Sequence, residues 1–293
     1  MLRFWFKQIL LMVTLGCCFS AYATVKVVAA ENMYGELAKQ LGGKLVQVTS
    51  ILNNPNQDPH LFNVSPSVAK KIAEADVIVY NGAGYDTWMD KLVEANQAKQ
   101  QQVINIANLI GAAPGVNPHL WYQPQTMQTY AKVMADTLSK IDSKNQAYYQ
   151  QQLAVFQQNY LQLASKMVTL RHKYAGTPVI ATEPVFEYMS EALGLKMLGQ
   201  GFQQSVMNDV EPSPSQLKEV EDLLKTQRVK VLFYNKQVIN PLTKQLQALA
   251  KQQNIPIVGV TEIQPPGTDY LGWMLEQLNN LDQALHYVDN TAS

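Results

Sequence analysis

The sequence is poor in the residues that usually carry chemistry or cross-links. Its 293 residues include two cysteines and four histidines, and charged side chains make up only 16%. Two cysteines exclude a disulfide framework and a four-cysteine zinc site. The 23 basic and 23 acidic side chains balance, which argues against a general nucleic-acid binder, since such proteins carry a basic excess.

Several motifs of common enzyme classes are also missing. The sequence contains no Gly-x-Ser-x-Gly elbow, no phosphate-binding Gly-x-x-x-x-Gly-Lys and no dinucleotide-binding glycine fingerprint. The hydrophobic content of 47% is far too high for a disordered chain, and the length fits about two domains. We therefore expect a two-domain globular protein whose chemistry depends on a few well-placed residues.

The first 23 residues have the features of a secretory signal. Arg3 and Lys7 precede an apolar stretch at residues 9–19, and Ala21-Tyr22-Ala23 places small residues where a signal peptidase cleaves. The apolar stretch is shorter than the roughly 20 residues that a membrane anchor needs. We expect residues 1–23 to be a cleaved signal peptide and the protein to be exported.

Both cysteines, Cys17 and Cys18, lie inside this leader. A lipid anchor on Cys17 is the alternative to cleavage after Ala23, but Thr14-Leu15-Gly16 is a poor lipobox. Cleavage after Ala23 would leave a mature chain without thiols. Because the leader holds two basic residues and no acidic one, the mature chain would carry 21 basic and 23 acidic side chains.

Short β-branched runs alternate with helical stretches along the mature chain. Strands are predicted at residues 25–30, 46–52, 77–82, 103–106, 178–182, 229–234 and 257–260. Ser65-Pro66, Ser213-Pro214 and Asn240-Pro241 each predict a helix start, with a capping side chain followed by proline at the first helical position. Strands separated by helices predict parallel sheets covered on both faces.

The middle of the chain predicts one long helix. Proline and glycine are absent from residues 145–174, where apolar residues recur every three or four positions, at Leu153, Phe156, Tyr160, Leu163, Met167, Leu170 and Tyr174. The stripe fits a helix of about 30 residues, roughly 45 Å long. A coiled-coil dimer is the alternative, but the glutamine-rich flanks favour packing against the protein's own domains.

These elements give the predicted fold, an α/β protein with two Rossmann-like lobes whose parallel sheets are joined by one long helix. The predicted divisions are an N-terminal metal-binding lobe at residues 24–140, a connecting helix at 141–175 and a C-terminal lobe at 176–293. Ligands of open parallel sheets bind beyond the carboxyl ends of the strands, so residues after each strand deserve priority.

Two of the four histidines lie in matching loop contexts. Asp58-Pro59-His60 follows the second predicted strand, and Asn117-Pro118-His119 follows the fourth. A preceding proline restricts the backbone, which suits a fixed ligand. Either histidine taken alone is more often a surface or capping residue, but the pair favours a metal site. His172 and His286 lie near helix ends, where a basic side chain favours the helix dipole.

Two glutamates occupy equivalent places in the second half. Glu183 and Glu262 each follow a threonine at the end of a predicted strand, and each has a proline shortly after it. Helix capping explains either residue singly, whereas their matching positions predict two inward-facing oxygen donors. Asp269 is an alternative to Glu262, and Glu31 and Asp86 are loop acids without a comparable context.

The ordered set of motifs resembles a known family. Its elements are Asp58-Pro59-His60, Asn81-Gly82 after a hydrophobic strand, Asn117-Pro118-His119-Leu120-Trp121, Glu183-Pro184-Val185-Phe186 with Tyr188, Glu211-Pro212-Ser213-Pro214 and the long central helix. Together they are similar to the metal-binding solute receptors of ABC transporters, the zinc and manganese class with a single interlobe helix. The resemblance covers essentially the whole mature chain.

The resemblance implies a ligand set and a role. His60 and His119 match the first two ligands of the family, and Glu183 matches the third, which is histidine in many zinc receptors and glutamate in manganese types. The fourth is usually aspartate, where this chain has Glu262. The cargo would be Mn²⁺, Zn²⁺ or Fe²⁺, delivered by a periplasmic, monomeric receptor to an ABC permease of the inner membrane.

Two other functions remain open at this stage. Two histidines and a glutamate with an open position for water would fit a secreted metallohydrolase, although no His-Glu-x-x-His helix is present. A receptor of the same fold could instead bind a chelated metal.

Overall fold

The computed structural model describes residues 24–56, 59, 62–96, 100–238 and 240–291. The predicted signal peptide therefore lies outside the described residues. Elements of the first half are β1 (Val25–Glu31), α1 (Asn32–Gly42), β2 (Val46–Leu52), α2 (Pro66–Ala73), β3 (Val77–Tyr80), α3 (Thr87–Ala95), β4 (Gln102–Asn105), α4 (Ile106–Leu109) and α5 (Thr126–Ile141).

The second half begins with the long helix α6 (Gln146–Tyr174). It continues with β5 (Pro178–Ala181), α7 (Glu187–Ala192), β6 (Lys196–Leu198), α8 (Gln200–Met207), α9 (Pro214–Lys225), β7 (Leu232–Asn235), α10 (Pro241–Gln252), β8 (Ile257–Val260) and α11 (Tyr270–Thr291). In the described part of the chain, no helix is both long and apolar enough to span a membrane.

The strands form two parallel sheets with the same topology. The first has the order β2-β1-β3-β4 and the second the order β6-β5-β7-β8. In each sheet the chain first adds a strand on one side and then crosses to the other, so the switch points lie between β1 and β3 and between β5 and β7. The predicted fold class is confirmed.

The predicted helix starts follow from local side-chain chemistry. The Ser65 side chain accepts a hydrogen bond from the Val68 amide, and Ser213 and Asn240 each form a capping box with the residue three positions later. These contacts satisfy amide groups that have no partner inside the helix.

The lobes share one hydrophobic core through α6 and α11. The predicted apolar stripe of α6 is buried apart from Met167, which is partly buried against the same core. Asp282 on α11 accepts hydrogen bonds from Lys166 and from the Tyr174 hydroxyl of α6, at 2.8 and 2.9 Å. Burial raises the pKa of Asp282, but these two donors and Lys173 outweigh it and lower the pKa to about 2. Continuous packing of this kind places the two sheets in a fixed relation.

Two strand predictions were incomplete. The strand β6 was missed because its three residues, Lys196–Leu198, are too short to show alternation. The predicted strand at 229–234 begins later, at Leu232, since Val229 packs in a small core between α9 and α10 before the chain enters the sheet.

Candidate metal centre

The His119 side chain is fixed by its own loop. Leu120–Tyr122 forms a buried 3-10 turn directly after it, and Nδ1 of His119 lies 2.6 Å from Oδ1 of Asn117. The Asn117 amide nitrogen donates to the Pro184 carbonyl and to Glu187, which establishes that its oxygen faces the imidazole. Nδ1 therefore carries the proton, and Nε2 keeps its lone pair.

The free nitrogen of His119 points at a carboxylate. Its Nε2 is buried, makes no hydrogen bond within the described residues and lies 3.6 Å from Oε2 of Glu262. Tyr85 and Trp121 surround the imidazole edge-on, with ring centroids at 6.1 and 5.3 Å. Two electron-pair donors thus face each other inside an aromatic enclosure.

The two predicted glutamates lie together between the lobes. Glu183 follows β5 and Glu262 follows β8, and both are buried. The side-chain nitrogen of Asn235, the last residue of β7, donates to Oε2 of Glu183 at 2.6 Å and to Oε1 of Glu262 at 2.5 Å. One amide group therefore bridges both carboxylates.

Glu262 is held from both lobes. The Tyr85 hydroxyl of the N-terminal lobe donates to Oε2 at 2.8 Å, and the Glu262 backbone amide donates to Oε1 of Gln237. Burial and the charge of Glu262 raise the pKa of Tyr85 well above its ordinary value, so the hydroxyl keeps its proton. Next to it, the Asn32 side chain makes two hydrogen bonds with the Gln264 backbone, which pin the segment to α1.

The other predicted ligands have different outcomes. His60 lies outside the described residues, as does Asp58. Asp269 is exposed and accepts a hydrogen bond from the Gly272 amide at the start of α11. Within the described residues, no group of three or more His, Cys, Asp or Glu side chains is arranged to hold a metal ion.

Sequence reasoning undervalued the acids of the first lobe. Glu31 ends β1 and is completely buried, while Asp86 accepts hydrogen bonds from the Asn81 and Gly82 amides at 2.6 and 2.8 Å. Burial, followed by the charge of Asp86, raises the pKa of Glu31 well above its ordinary value, which favours the neutral carboxyl. Asp86 thereby supports the turn that carries Tyr85.

Sequence reasoning also missed Tyr85, Asn235 and Gln237. Asn235 was visible as a polar residue ending a hydrophobic strand, but its role depends on β7 lying beside β5. Tyr85 gave no signal of its own, because only the folded chain brings it to Glu262.

Comparison with known proteins identifies the family of this chain. The family model ZnuA, described as zinc-uptake complex component A periplasmic, matches residues 27–284. The metal ABC transporter substrate-binding lipoprotein FimA of Streptococcus parasanguinis is 26% identical over 260 residues, which cover 83% of this chain and 81% of that protein. The manganese ABC transporter substrate-binding lipoprotein PsaA of Streptococcus pneumoniae is 27% identical over 251 residues, covering 80% and 78%.

A solved structure agrees with the fold. The periplasmic zinc-binding protein TroA of Treponema pallidum superposes with a TM-score of 0.76 at 18% identity, covering 89% of this chain and 99% of that one. At that identity the similarity establishes the fold alone. Because the family model matches most of the sequence, the resemblance is confirmed, and this chain belongs to the ZnuA family of metal-binding solute receptors of ABC transporters.

Proposed function

We propose that this protein captures a divalent transition-metal ion between its two lobes and delivers it to an ABC permease. The proposed ligands are His60, His119, Glu183 and Glu262. The observation that carries the proposal is the Nε2 atom of His119, which is buried, without a hydrogen bond in the described residues, and aimed at Oε2 of Glu262. The family match favours this function over a metallohydrolase or a receptor for a chelated metal.

The spacing of these two atoms suits a shared cation. Ligands at about 2.0–2.1 Å from a tetrahedral ion lie roughly 3.3–3.5 Å apart, and Nε2 of His119 and Oε2 of Glu262 are 3.6 Å apart. The hydrogen bond from Nδ1 to Asn117 fixes the tautomer that binding requires. The proposed Glu183 and His60 would complete a set of two imidazoles and two carboxylates.

The donor set accommodates Mn²⁺, Zn²⁺ or Fe²⁺. Two carboxylates make the site harder than an all-histidine site, which favours Mn²⁺ and Fe²⁺. Zn²⁺ nevertheless outranks both in intrinsic affinity on nitrogen and oxygen ligands. Among similar proteins, PsaA is named for manganese and TroA for zinc.

The proposed location is the periplasm, where the loaded receptor would meet the permease as a monomer with a transport role and no catalytic one. The relatives FimA and PsaA are both named lipoproteins. They therefore count against the sequence-based expectation that Cys17 is not lipidated.

Metal content after native export tests the function. Protein secreted without a histidine tag and analysed for bound elements should contain close to one Mn, Zn or Fe per chain. We expect His60→Ala and His119→Ala each to lose most of this metal, since each removes a ligand. His172→Ala is the matched control, because His172 is exposed near the end of α6.

Two results would count against the proposal. Wild-type protein exported in metal-replete medium without bound metal would refute the function. Full metal content in His119→Ala would refute the ligand assignment while leaving the function open to another site.

A further inference from the structure

Asn117, two residues before His119, is held at three points by the second lobe. Its side-chain nitrogen donates to the Pro184 carbonyl at 2.7 Å and to Oε2 of Glu187 at 2.8 Å. Its backbone carbonyl accepts a hydrogen bond from the Tyr188 hydroxyl at 2.7 Å. All three partners lie between the end of β5 and the first turn of α7. The start of α7 and the turn before it therefore hold the loop that carries the imidazole.

The same asparagine contacts the His119 ring directly. Oδ1 of Asn117 accepts a hydrogen bond from the His119 backbone amide at 3.0 Å and lies 2.6 Å from Nδ1 of the ring. An asparagine side chain has two N–H groups and one oxygen with two lone pairs, and these contacts use all of them. A hydrogen-bonded chain thus runs from the Glu187 carboxylate through one amide to Nδ1 of His119, on the opposite side of the ring from Nε2.

Glu187 adds a negative charge to this chain. Pro184 offers a neutral carbonyl, whereas a carboxylate accepts a stronger hydrogen bond. Because hydrogen bonds in a chain polarise one another, the carboxylate makes Oδ1 of Asn117 a better acceptor for the proton on Nδ1. A hydrogen bond of this kind fixes the tautomer of a metal-binding histidine and raises the basicity of its other nitrogen. The Gln200 amide donates to Oε1 of Glu187 at 3.1 Å and holds this carboxylate in place.

We propose that Glu187 is a positioning residue for metal binding, which acts on His119 from across the lobe boundary through Asn117. The inference rests on the proposed function, and of the proposed ligands it uses His119 alone. Glu187 does not bind the cation itself. Its carboxylate and the Tyr188 hydroxyl hold the histidine loop against the second lobe, and the carboxylate keeps the imidazole in the tautomer that leaves Nε2 for the ion. Metal capture therefore depends on the contact between α7 and this loop as well as on the ligands.

The first measurement is the Kd for Zn²⁺, determined by chelator competition. Glu187→Ala removes the acceptor, and we expect its Kd to rise about 10–100-fold, the range for loss of an outer hydrogen-bond partner. Glu187→Gln keeps an oxygen acceptor but loses the charge, so its Kd should lie between those of wild type and Glu187→Ala. Glu191→Ala is the matched control, because Glu191 is an exposed glutamate of the same helix, and its Kd should equal that of wild type.

A spectroscopic signature separates positioning from general support of the fold. At a pH where histidine is neutral, long-range proton–nitrogen NMR spectra of the metal-free protein show which nitrogen of each imidazole carries the proton. The His119 signals are those missing from His119→Ala. We expect the proton on Nδ1 alone in wild type and Glu191→Ala, and a mixture of both tautomers in Glu187→Ala. Tyr188→Phe keeps the charge of Glu187, so it should raise the Kd less and retain the wild-type tautomer.

Each other outcome is decisive. An unchanged Kd in Glu187→Ala would overturn the role of Glu187 while leaving the metal receptor intact. A raised Kd with the wild-type tautomer, or an equal loss in Glu191→Ala, would overturn it as well, because either result indicates a structural effect alone. A wild type that binds no metal ion would remove the proposed function and this inference together. If Glu187→Ala does not fold, the isosteric Glu187→Gln decides, and a wild-type Kd in that variant would overturn the inference.

Discussion

The two sheets carry the same residue types at the same topological place and use them differently. In the first lobe, Glu31 ends β1 and Asn81 directly follows β3. In the second lobe, Glu183 follows β5 and Asn235 ends β7. Each pair therefore consists of a glutamate and an asparagine at the switch point of a four-stranded parallel sheet, the place where such sheets bind ligands.

In the first lobe this pair is enclosed and structural. Glu31 is fully buried and its pKa is raised, chiefly by that burial. The Asn81 side chain accepts a hydrogen bond from the Tyr34 hydroxyl at 2.6 Å and donates to the Pro118 carbonyl at 2.8 Å. Pro118 precedes His119, so Asn81 supports the loop that presents the imidazole.

In the second lobe the pair faces another carboxylate. The Asn235 amide donates to Glu183 and also to Glu262, and the His119 imidazole lies beyond Glu262. The comparison teaches that the strand-end position selects both glutamates as candidates. Burial and the neighbouring donors then distinguish Glu183, the proposed ligand, from Glu31.

The largest expected effect on metal affinity comes from a substitution of Glu183, the glutamate of the second lobe. Glu183→Gln keeps the shape but removes the charge and replaces one oxygen with a nitrogen that does not coordinate metal. We expect metal affinity to fall by more than the roughly 10–100-fold that loss of an outer partner produces. Isothermal titration of metal-free protein measures the change.

Glu31→Gln is the matched substitution in the first lobe. Because burial raises the pKa of Glu31 and favours its neutral form, this substitution changes little charge, and the metal affinity of the variant should stay close to that of wild type. A loss as large as that of Glu183→Gln would mean that both switch points contribute ligands.

A smaller effect is expected from the contact that joins the lobes at Glu262. Tyr85→Phe removes the hydroxyl that donates to Oε2, so this carboxylate loses a partner that orients it. We expect metal affinity to fall about tenfold, at the low end of the range for outer partners. Tyr80→Phe removes a similar hydroxyl–carboxylate hydrogen bond, to Asp90, and should not change affinity. Equal affinities in wild type and Tyr85→Phe would show that Glu262 needs no support from the first lobe.

Much of the fold was predictable because its signals are local. The Ser65, Ser213 and Asn240 caps depend on residues three positions away, and the stripe of α6 depends on spacing within one helix. The matching strand-end contexts likewise selected Glu183 and Glu262. Their role as ligands, like that of His60 and His119, stays a prediction.

The partners of the site were not predictable because they come from distant parts of the chain. Tyr85 and Glu262 are 177 residues apart, and Asn235 meets Glu183 only because β7 pairs with β5. Glu31 looked like an ordinary loop acid, and only its burial beside Asp86 raises its pKa. Long-range pairing and desolvation leave no trace in local sequence patterns.

The smallest expected effect is a pH dependence of the stability contributed by Glu31 in the first lobe. Burial raises the folded-state pKa of Glu31 above its ordinary value of 4.5. The stability that depends on the neutral carboxyl is therefore complete below this ordinary value, and it is lost as pH rises through the folded-state pKa. Glu31→Gln cannot ionise and should unfold a few degrees above wild type at pH 8, with a smaller difference at pH 5. Thermal unfolding of metal-free protein measures this, with the exposed Glu94→Gln as the control. A difference that does not depend on pH would mean that Glu31 is charged in the folded protein, which would make the first switch point resemble the second.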